Sequence, residues 1–427
     1  MDEWQLTAAN MEGFDHVPSG AIAYMRAGHA RSYPLLFASA EGAYAIDTSG
    51  RRYVDWVMGK GPVTLGHGRE EIDRAAFEAA RSGILLPGLS RSYARVATRL
   101  SRLVPAMESI TFAKNGSDAV AIALRLARVH SGRGWVLSSG YHGWDERVRG
   151  DSVGATLPSR ESGVADFGYD LDLLERVLDA EGERVAAVLV SPEPAFLGDD
   201  FLRRVAASAK ERGALFIVDE VRCGMRLALG GAHDSAGVRP DLVAMSKGLT
   251  NGYPLAAVGG LRALMDASRD TFIFGTYYGE TASLAAADAC LEIVEREGAI
   301  ESIAAAGHAL SFAMGEAFVQ HGVRAHVLGP AAMPTFLFES RDDEATFYGR
   351  AAEAGVLFFQ DDAQCPSTEH GATEVQATLT ALAPVFDELS RSERSLAPAR
   401  EVIERYAARR GIREGVADAA HIERTLT

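Results

Sequence analysis

The sequence predicts an α/β protein that has a large domain built on a mainly parallel sheet and a smaller α+β domain formed from the two chain ends. From about residue 108 to 262, short apolar segments alternate with amphipathic helical patterns, which is typical of parallel strands covered on both faces. Outside this region the alternation is lost. The 427 residues suffice for two or three domains, and we place the boundaries at 1–60, 61–320 and 321–427.

The first part of the chain contains one antiparallel element and is followed by the large domain. The segment YAIDTSGRRYVDW at 44–56 is predicted to form two strands joined at Thr48-Ser49-Gly50. The large domain continues with strands predicted at 109–114, 135–139, 185–190, 214–219, 242–246 and 255–260. Helical patterns separate them at 118–130, 170–180 and 201–213.

From about residue 300 the pattern changes to that of an α+β domain. We predict helices at 284–320 and 342–354, and strands at 333–340 and 355–360. Residues 401–411 are predicted to form a terminal surface helix followed by a loosely held tail.

Composition and charge exclude several classes of partner. The chain carries 43 basic and 58 acidic side chains without a run of Lys or Arg, so nucleic acid is not an expected partner. No signal peptide and no stretch of 18 apolar residues is found, so no membrane association is expected. The three cysteines, Cys223, Cys290 and Cys365, form no disulfide or zinc pattern, and we therefore expect a cytoplasmic protein.

A ligand of such a sheet binds beyond the carboxyl ends of its strands, so the residues that follow each strand are the candidates for ligand binding. After the first strand comes Asn115-Gly116-Ser117-Asp118, which opens a helix. The N-terminus of a helix suits a phosphate group. An ordinary helix cap formed by Asn115 or Ser117 is the alternative.

Two further strands end in residues that fit a flat heterocyclic ligand. Gly140-Tyr141-His142-Gly143-Trp144 follows the second strand, and its rings could stack on a ligand or simply cover the sheet edge. Asp219 and Glu220 end an otherwise apolar strand. A buried carboxylate needs a partner, such as Arg222, Arg226 or a protonated ring nitrogen.

Lysine is scarce, which narrows the search for a reactive amine. Of the 43 basic residues 39 are arginines, and the four lysines are Lys60, Lys114, Lys210 and Lys247. Lys247 directly follows a buried strand, where an amine is costly unless it is neutralised, paired or covalently used. A lysine that reaches solvent from a loop is the alternative. A phosphate turn, a stacking ring, an acid and a Schiff-base lysine are the parts that pyridoxal 5′-phosphate (PLP) needs.

From about residue 18 to 390 the sequence resembles class III aminotransferases of fold type I, and within them it is most similar to glutamate-1-semialdehyde 2,1-aminomutase and its aminotransferase relatives. The motifs that carry the resemblance are FAKNGSDAVAIALRLAR (112–128), GYHGWDE (140–146), LFIVDEVRCGMR (215–226), MSKGLTNGYPLAAVGG (245–260) and FGTYYGETASLAAA (274–287). The resemblance implies PLP as cofactor and a homodimer with active sites at the subunit interface.

The resemblance also implies roles for individual residues. Gly116 and Ser117 would bind the cofactor phosphate, Tyr141 would stack over the ring beside His142, and Val221 would pack on the other face. Asp219 would pair with the pyridine nitrogen, and Lys247 would form the Schiff base. Thr276 would contact the phosphate bound by the partner subunit.

The substrate is less clearly indicated. Arg26, Lys60 and Glu193 are the candidate substrate residues, with Arg26 as the receptor of a carboxylate. Ala23 and Lys60 replace residue types usual in the aminomutase, and no Arg or Lys lies between Arg350 and Arg391, where many class III transaminases bind a dicarboxylate. We therefore predict an aminotransferase acting on a small amine and a keto or aldehyde acceptor. An intramolecular aminomutase is the alternative.

The sequence matches the patterns of a hydrolase or a metal-binding protein less well. Gly150-Asp151-Ser152-Val153-Gly154 fits the pattern of a hydrolase nucleophile elbow, but a polar segment precedes it where a buried strand is required. His67, His142 and His370 occur singly, so no metal site is predicted. A regulatory protein that binds the cofactor without catalysis is a further possibility.

Overall fold

We describe the fold from a computed structural model, which covers residues 36–143, 151–152, 163–360, 362–390 and 399–413. The strands along the chain are β1 (Phe37–Glu41), β2 (Tyr44–Asp47), β3 (Arg52–Asp55), β4 (Ser109–Ala113), β5 (Trp135–Ser139), β6 (Asp151–Ser152), β7 (Gly163–Asp166), β8 (Val185–Val190), β9 (Leu215–Asp219), β10 (Leu242–Met245), β11 (Ala256–Gly260), β12 (Ala325–Leu328), β13 (Thr335–Phe338) and β14 (Val356–Leu357).

The helices within the described ranges occupy most of the connections between these strands. They are α1 (Glu70–Arg81), α2 (Arg91–Leu103), α3 (Gly116–Ser131), α4 (Leu171–Glu181), α5 (Asp199–Glu211), α6 (Ala232–Ser235), α7 (Arg262–Met265), α8 (Thr281–Arg296), α9 (Ala299–Gln320), α10 (Arg341–Ala354), α11 (Ala372–Ser390) and α12 (Ala399–Arg409).

The chain divides into two compact units. The larger unit consists of Gly61–Thr64, Arg69–Glu301 and Glu404–Thr427. The smaller unit consists of Met1–Lys60, Leu65–Gly68 and Ser302–Ile403. The division therefore falls in the first turn of α9 and not at 320, because the rest of α9 packs into the core of the smaller unit.

The larger unit contains an eight-stranded sheet in the order β4-β11-β10-β9-β8-β5-β7-β6. The pairs from β10 to β6 are all parallel. Only β11 is antiparallel to its neighbours, β10 and β4, so β4 runs in the same direction as β10. The predicted α/β fold with a mainly parallel sheet is thus confirmed, and the carboxyl ends of β4, β5, β8, β9 and β10 lie at one edge.

Apolar strand sequences explain why this sheet is covered on both faces. All six residues of β8 are buried. Helix α3 packs on the sheet through an almost continuous buried surface that includes Val120, Leu124 and Ala127, against Ile217 of β9. At about 25 cal/mol per Å² of apolar area, burial of this kind is the main stabilising contribution to the fold.

The smaller unit has a four-stranded sheet in the order β1-β2-β3-β14, with β14 parallel to β3, and a hairpin of β12 and β13. Its core is rich in aromatic rings: Phe318, Phe336, Phe338 and Phe347 make several edge-to-face contacts. Helix α9 is long and apolar enough to cross a membrane by length and composition alone. However, its residue Phe318 lies in this core.

One prediction about helices is wrong. The helix predicted at 284–320 is two helices, α8 and α9, because the chain adopts a left-handed conformation at Gly298 (φ 59°) that interrupts the hydrogen-bond ladder. The surface helix predicted near the C-terminus forms as α12, which buries Val402 and Tyr406 on one side and exposes Glu401 and Arg409 on the other. The hairpin at 44–56 also forms as predicted from β2 and β3.

Candidate active site

The loops that follow β4, β5, β8, β9 and β10 lie at the same edge of the large sheet, because these strands share one direction. The polar and glycine-rich segments selected from the sequence occupy these loops. The structure therefore brings together Gly116, Ser117, Tyr141, His142, Glu193, Asp219, Val221 and Lys247 in one part of the larger unit.

The turn after β4 is a capped start of a helix. The Asn115 side chain accepts a hydrogen bond from the backbone N–H of Asp118 at 2.9 Å, which is the geometry of an N-cap. Helix α3 then continues for 16 residues. The cap interpretation is therefore correct, and it does not exclude a phosphate, since one side-chain cap leaves other first-turn N–H groups at the positive end of the helix dipole.

Glycines allow this turn to lie against two other loops. A Cβ atom at Gly116 would lie 2.8 and 3.0 Å from the two methyl carbons of Val221. A Cβ atom at Gly143, where φ is 106°, would lie 1.9 Å from the Ser117 hydroxyl oxygen. Residues from three separate motifs are thus in close contact. Gly143 was not selected from the sequence, although a glycine beside a strand end is the usual signal of close backbone approach.

Replacing Gly116 by Ala is expected to lower the free energy of unfolding of the cofactor-free protein by about 1–3 kcal/mol, because the new methyl group overlaps Val221. Chemical denaturation measures this. Val221→Ala in the same chain should recover most of the loss. Gly349→Ala in α10 is the matched control: no atom lies within 4 Å of its Cβ position, so it should stabilise by about 0.5–1 kcal/mol. Equal effects of Gly116→Ala and the control would contradict the contact.

The acid predicted to face a ring nitrogen is buried and oriented. Asp219 is 3% exposed. One of its carboxylate oxygens lies 2.9 Å from Nδ1 of the buried His142, and the other accepts the backbone N–H of Val221 at 3.0 Å. Within the described part of the chain, Nε2 of His142 has no hydrogen-bond partner. A fixed, buried carboxylate next to an imidazole can hold a cationic ligand group at this sheet edge.

The adjacent carboxylate has a different partner. Glu220 is fully buried and accepts hydrogen bonds from the backbone N–H groups of Ala232 and His233, at 3.0 and 2.7 Å. Its carboxylate also lies 2.9 Å from Nδ1 of His233. Sequence reasoning proposed arginines as protein partners for this pair of acids and missed both histidines, which are remote in sequence. Glu220 thus anchors the loop that contains α6.

Lys247 begins a short 3-10 turn directly after β10, whose Ala244 pairs with Asp219 of β9. Its φ of 43° lies in the left-handed region, which costs a residue other than glycine about 1–3 kcal/mol. The Ser246 hydroxyl donates to the backbone carbonyl of Leu255 at 2.8 Å and holds the turn. Strained backbone of this kind concentrates at functional sites.

Two of the remaining candidates, Tyr141 and Glu193, lie in the loops at this sheet edge. Tyr141 is 74% exposed, and Thr276 is exposed in the loop before α8. Glu193 is 6% exposed and forms an ion pair of 2.7 Å with Arg222. Lys60 belongs to the smaller unit, where it has a φ of 70° and its Nζ lies 5.6 Å from the centre of the Phe359 ring. Arg26 and Trp144 lie outside the described residues. The roles of all the candidate site residues stay predictions.

A PLP-sized ligand is compatible with these residues. The start of helix α3 offers first-turn N–H groups to a phosphate, and the buried Asp219 provides the charge that a protonated pyridine nitrogen requires. The fold and this arrangement define a PLP-dependent enzyme of fold type I.

Comparison with known proteins identifies the family. The sequence model described as "Aminotransferase class-III" matches residues 25–147 and 159–365. The chain is 35% identical over 312 residues to 2′-deamino-2′-hydroxyneamine transaminase of Streptomyces kanamyceticus, which covers 73% of this chain and 80% of that one. It is 31% identical over 379 residues to aminopentol aminotransferase of Sphingopyxis macrogoltabida, covering 86% and 90%.

A solved structure agrees with the sequence matches. The FumI protein of Sphingopyxis sp. MTA144, solved in its PLP form, superposes with a TM-score of 0.82 at 29% identity, over 92% of this chain and 98% of that one. The chain belongs to the class III aminotransferases, and it is a PLP-dependent aminotransferase. The aminotransferase prediction is thus confirmed, whereas the aminomutase alternative is not favoured.

Proposed function

We propose that this aminotransferase moves an amino group between an amine donor and the keto or aldehyde group of a polyhydroxylated compound that has no second carboxylate, with Lys247 as its catalytic lysine. The placement of Lys247 and Asp219 after the adjacent strands β10 and β9 carries the catalytic part of the proposal. It provides an amine and a buried acid at one sheet edge, as PLP chemistry requires.

Each residue of the edge has a chemical task in this proposal. When bound, PLP supplies an aldehyde that condenses with amines and a protonated pyridine ring that accepts electrons. Lys247 would hold the cofactor through Nζ and, as a free amine, would move the proton at the substrate carbon that carries nitrogen. Asp219, oriented by His142, would keep the proton on the pyridine nitrogen. Gly116 and Ser117 would bind the phosphate at the start of α3, and Val221 would pack on the ring.

Two observations support the substrate class. No Arg or Lys occurs between Arg350 and Arg391, so this segment offers no cation to a distal carboxylate. Two relatives matched over most of their length are named for acting on 2′-deamino-2′-hydroxyneamine and on an aminopentol. A sugar-like or polyol ketone fits both observations.

We also propose that the enzyme is a homodimer. The larger unit exposes two groups of apolar side chains, one near Leu85, Leu86 and Leu89 and one near Phe272, Phe274 and Tyr277. Beside the second group lies a cavity of about 490 Å³ between α3 and residues 271–278. Exposed apolar area of this kind is typical of subunit interfaces. The dimer would place Thr276 near the phosphate of the partner, and light scattering should give the mass of two chains.

A reducing compartment such as the cytoplasm is our proposal for the location. Cys223, Cys290 and Cys365 are free and buried. Burial raises the pKa of the Cys223 and Cys290 thiols, so the reactive thiolate form is scarce. Fractionation of the native host tests this proposal.

Single half-reactions with the purified holoenzyme test the substrate class. Amino sugars and amino polyols should consume the cofactor absorbance within one turnover, and a separate keto compound should restore it. Amines with a second carboxylate, such as glutamate, should react at least about tenfold more slowly, since one lost ionic contact costs more than 1.4 kcal/mol. Faster reaction with glutamate than with every amino sugar would overturn the substrate class but not the aminotransferase activity.

A further inference from the structure

Two features of the sequence have no task in the mechanism above, and the structure joins them. Lys114 immediately precedes the phosphate turn, and Glu280 lies directly before helix α8, in the predicted FGTYYGETASLAAA motif. Nζ of Lys114 lies 2.9 Å from a carboxylate oxygen of Glu280. The two side chains are 17% and 12% exposed, so the pair is largely withdrawn from water.

Glu280 also organises the start of α8. Its carboxylate accepts hydrogen bonds from the backbone N–H groups of Ala282 and Ser283, at 2.5 and 3.1 Å, and from the Ser283 hydroxyl at 2.6 Å. Burial alone would raise the pKa of Glu280, but the hydrogen bonds from Lys114 and Ser283 outweigh it and lower the pKa. The carboxylate is therefore ionised at neutral pH and can serve as both helix cap and ion-pair partner.

The same helix start holds the two apolar surface groups in place. The backbone N–H and the hydroxyl of Thr281 donate to the carbonyls of Ile84 and Gly83, at 3.0 and 2.9 Å. On the other side, Tyr278 N–H donates to the Gly275 carbonyl and closes a turn that contains Thr276. Glu280 N–H donates to the Tyr277 carbonyl and closes a second turn, which overlaps the first and ends at Glu280. The position of Thr276 thus depends on where Glu280 is held.

Stability alone does not account for such a pair. The cost of withdrawing two charges from water offsets most of their attraction, and a partly buried pair contributes little net stability. Its geometric effect is larger, because losing one partner leaves a charge without its counterpart in a partly dry site. The Lys114–Glu280 ion pair therefore contributes more to the relative position of the two segments that carry it than to the stability of the fold.

We propose that Lys114 and Glu280 are positioning residues that fix the Thr276 loop relative to the phosphate turn, so that one pair supports cofactor binding in both active sites of the dimer. The turn belongs to the subunit's own site, whereas Thr276 reaches the site of the partner. This inference rests on the proposed dimer and on the proposed role of Thr276.

Cofactor release from the holoenzyme tests the proposal. Lys114→Met and Glu280→Gln should each release PLP about tenfold faster, since a hydrogen bond to a charged group contributes about 1.5–3 kcal/mol. Each variant also leaves one charge without its counterpart, so the unfolding temperature of the cofactor-free protein should fall as well. Lys114→Arg, which keeps the charge, should restore slow release. Arg102→Met is the matched control, because it removes an ion pair of 2.7 Å with Glu295 in the same helix α8. Arg102→Met should leave the rate of PLP release unchanged.

A hybrid dimer shows whether one Lys114–Glu280 pair supports cofactor binding in both active sites or in only one. A dimer of one wild-type and one Lys114→Met chain, purified through two different tags, should release PLP faster from both sites. One site with the wild-type rate beside one with the variant rate would overturn the proposal, as would failure of Lys114→Arg to slow release. Absence of dimers or of PLP binding in the wild-type protein would instead overturn the proposed function.

Discussion

Replacing Lys247 by alanine is expected to lower kcat by about 10⁴-fold or more, because both covalent attachment and proton transfer are lost. The visible absorbance of the covalently held cofactor should disappear, although PLP can still bind through its phosphate. Adding a small primary amine should restore part of the rate, since a diffusing base replaces Nζ.

The matched control for this change is Lys210→Ala. Lys210 lies on the exposed side of α5, in the same unit, in the last turn of the helix before the amino end of β9 and so away from the carboxyl edge of the sheet. This variant should keep the wild-type rate and spectrum. If Lys247→Ala retained the spectrum and more than a few per cent of the activity, Lys247 would not be the catalytic lysine.

Replacing Asp219 by asparagine is expected to lower kcat by at least about 10²-fold, because a neutral amide no longer keeps the pyridine nitrogen protonated. The side chain keeps its shape, so the contacts with His142 and the Val221 N–H should survive in altered form. Single-turnover kinetics measure the loss, which should appear in the chemical step and not in substrate binding.

Asp241→Asn provides the comparison for this second variant. Asp241 also accepts a backbone N–H, that of Phe216 at 2.8 Å, but it lies at the amino end of β10, at the opposite edge of the sheet from Lys247. It should lose about 1 kcal/mol of stability and no activity. Equal losses of kcat in the two variants would show that Asp219 acts only on the fold.

Local patterns in the sequence were enough to predict which residues follow the strands of the large sheet. The apolar segments that become β4, β9 and β10 are continuous, so the residues after them are recognisable without a structure. The partners of those residues are not local. His142 and Asp219 are 77 positions apart, and Lys114 and Glu280 are 166 apart, so only the sheet order brings them together.

A single residue explains the helix prediction that was wrong. The hydropathy of 284–320 is continuous, and only the backbone at Gly298 shows that two helices are present. The pattern of 401–411 predicted the terminal surface helix, α12, but not which surface receives its buried residues Val402 and Tyr406. Burial of a short terminal helix depends on which surface it meets, and that information is tertiary.

Because Asp219 and Glu220 have different partners, their substitutions should have different effects in a library of random variants. Both adjacent acids should tolerate almost no substitution, yet for different reasons. Variants of Asp219 should accumulate as folded, inactive protein, whereas variants of Glu220 would leave His233 and two N–H groups without their acceptor and should be degraded in the cell. Protein abundance measured beside growth would therefore tell the two carboxylates apart.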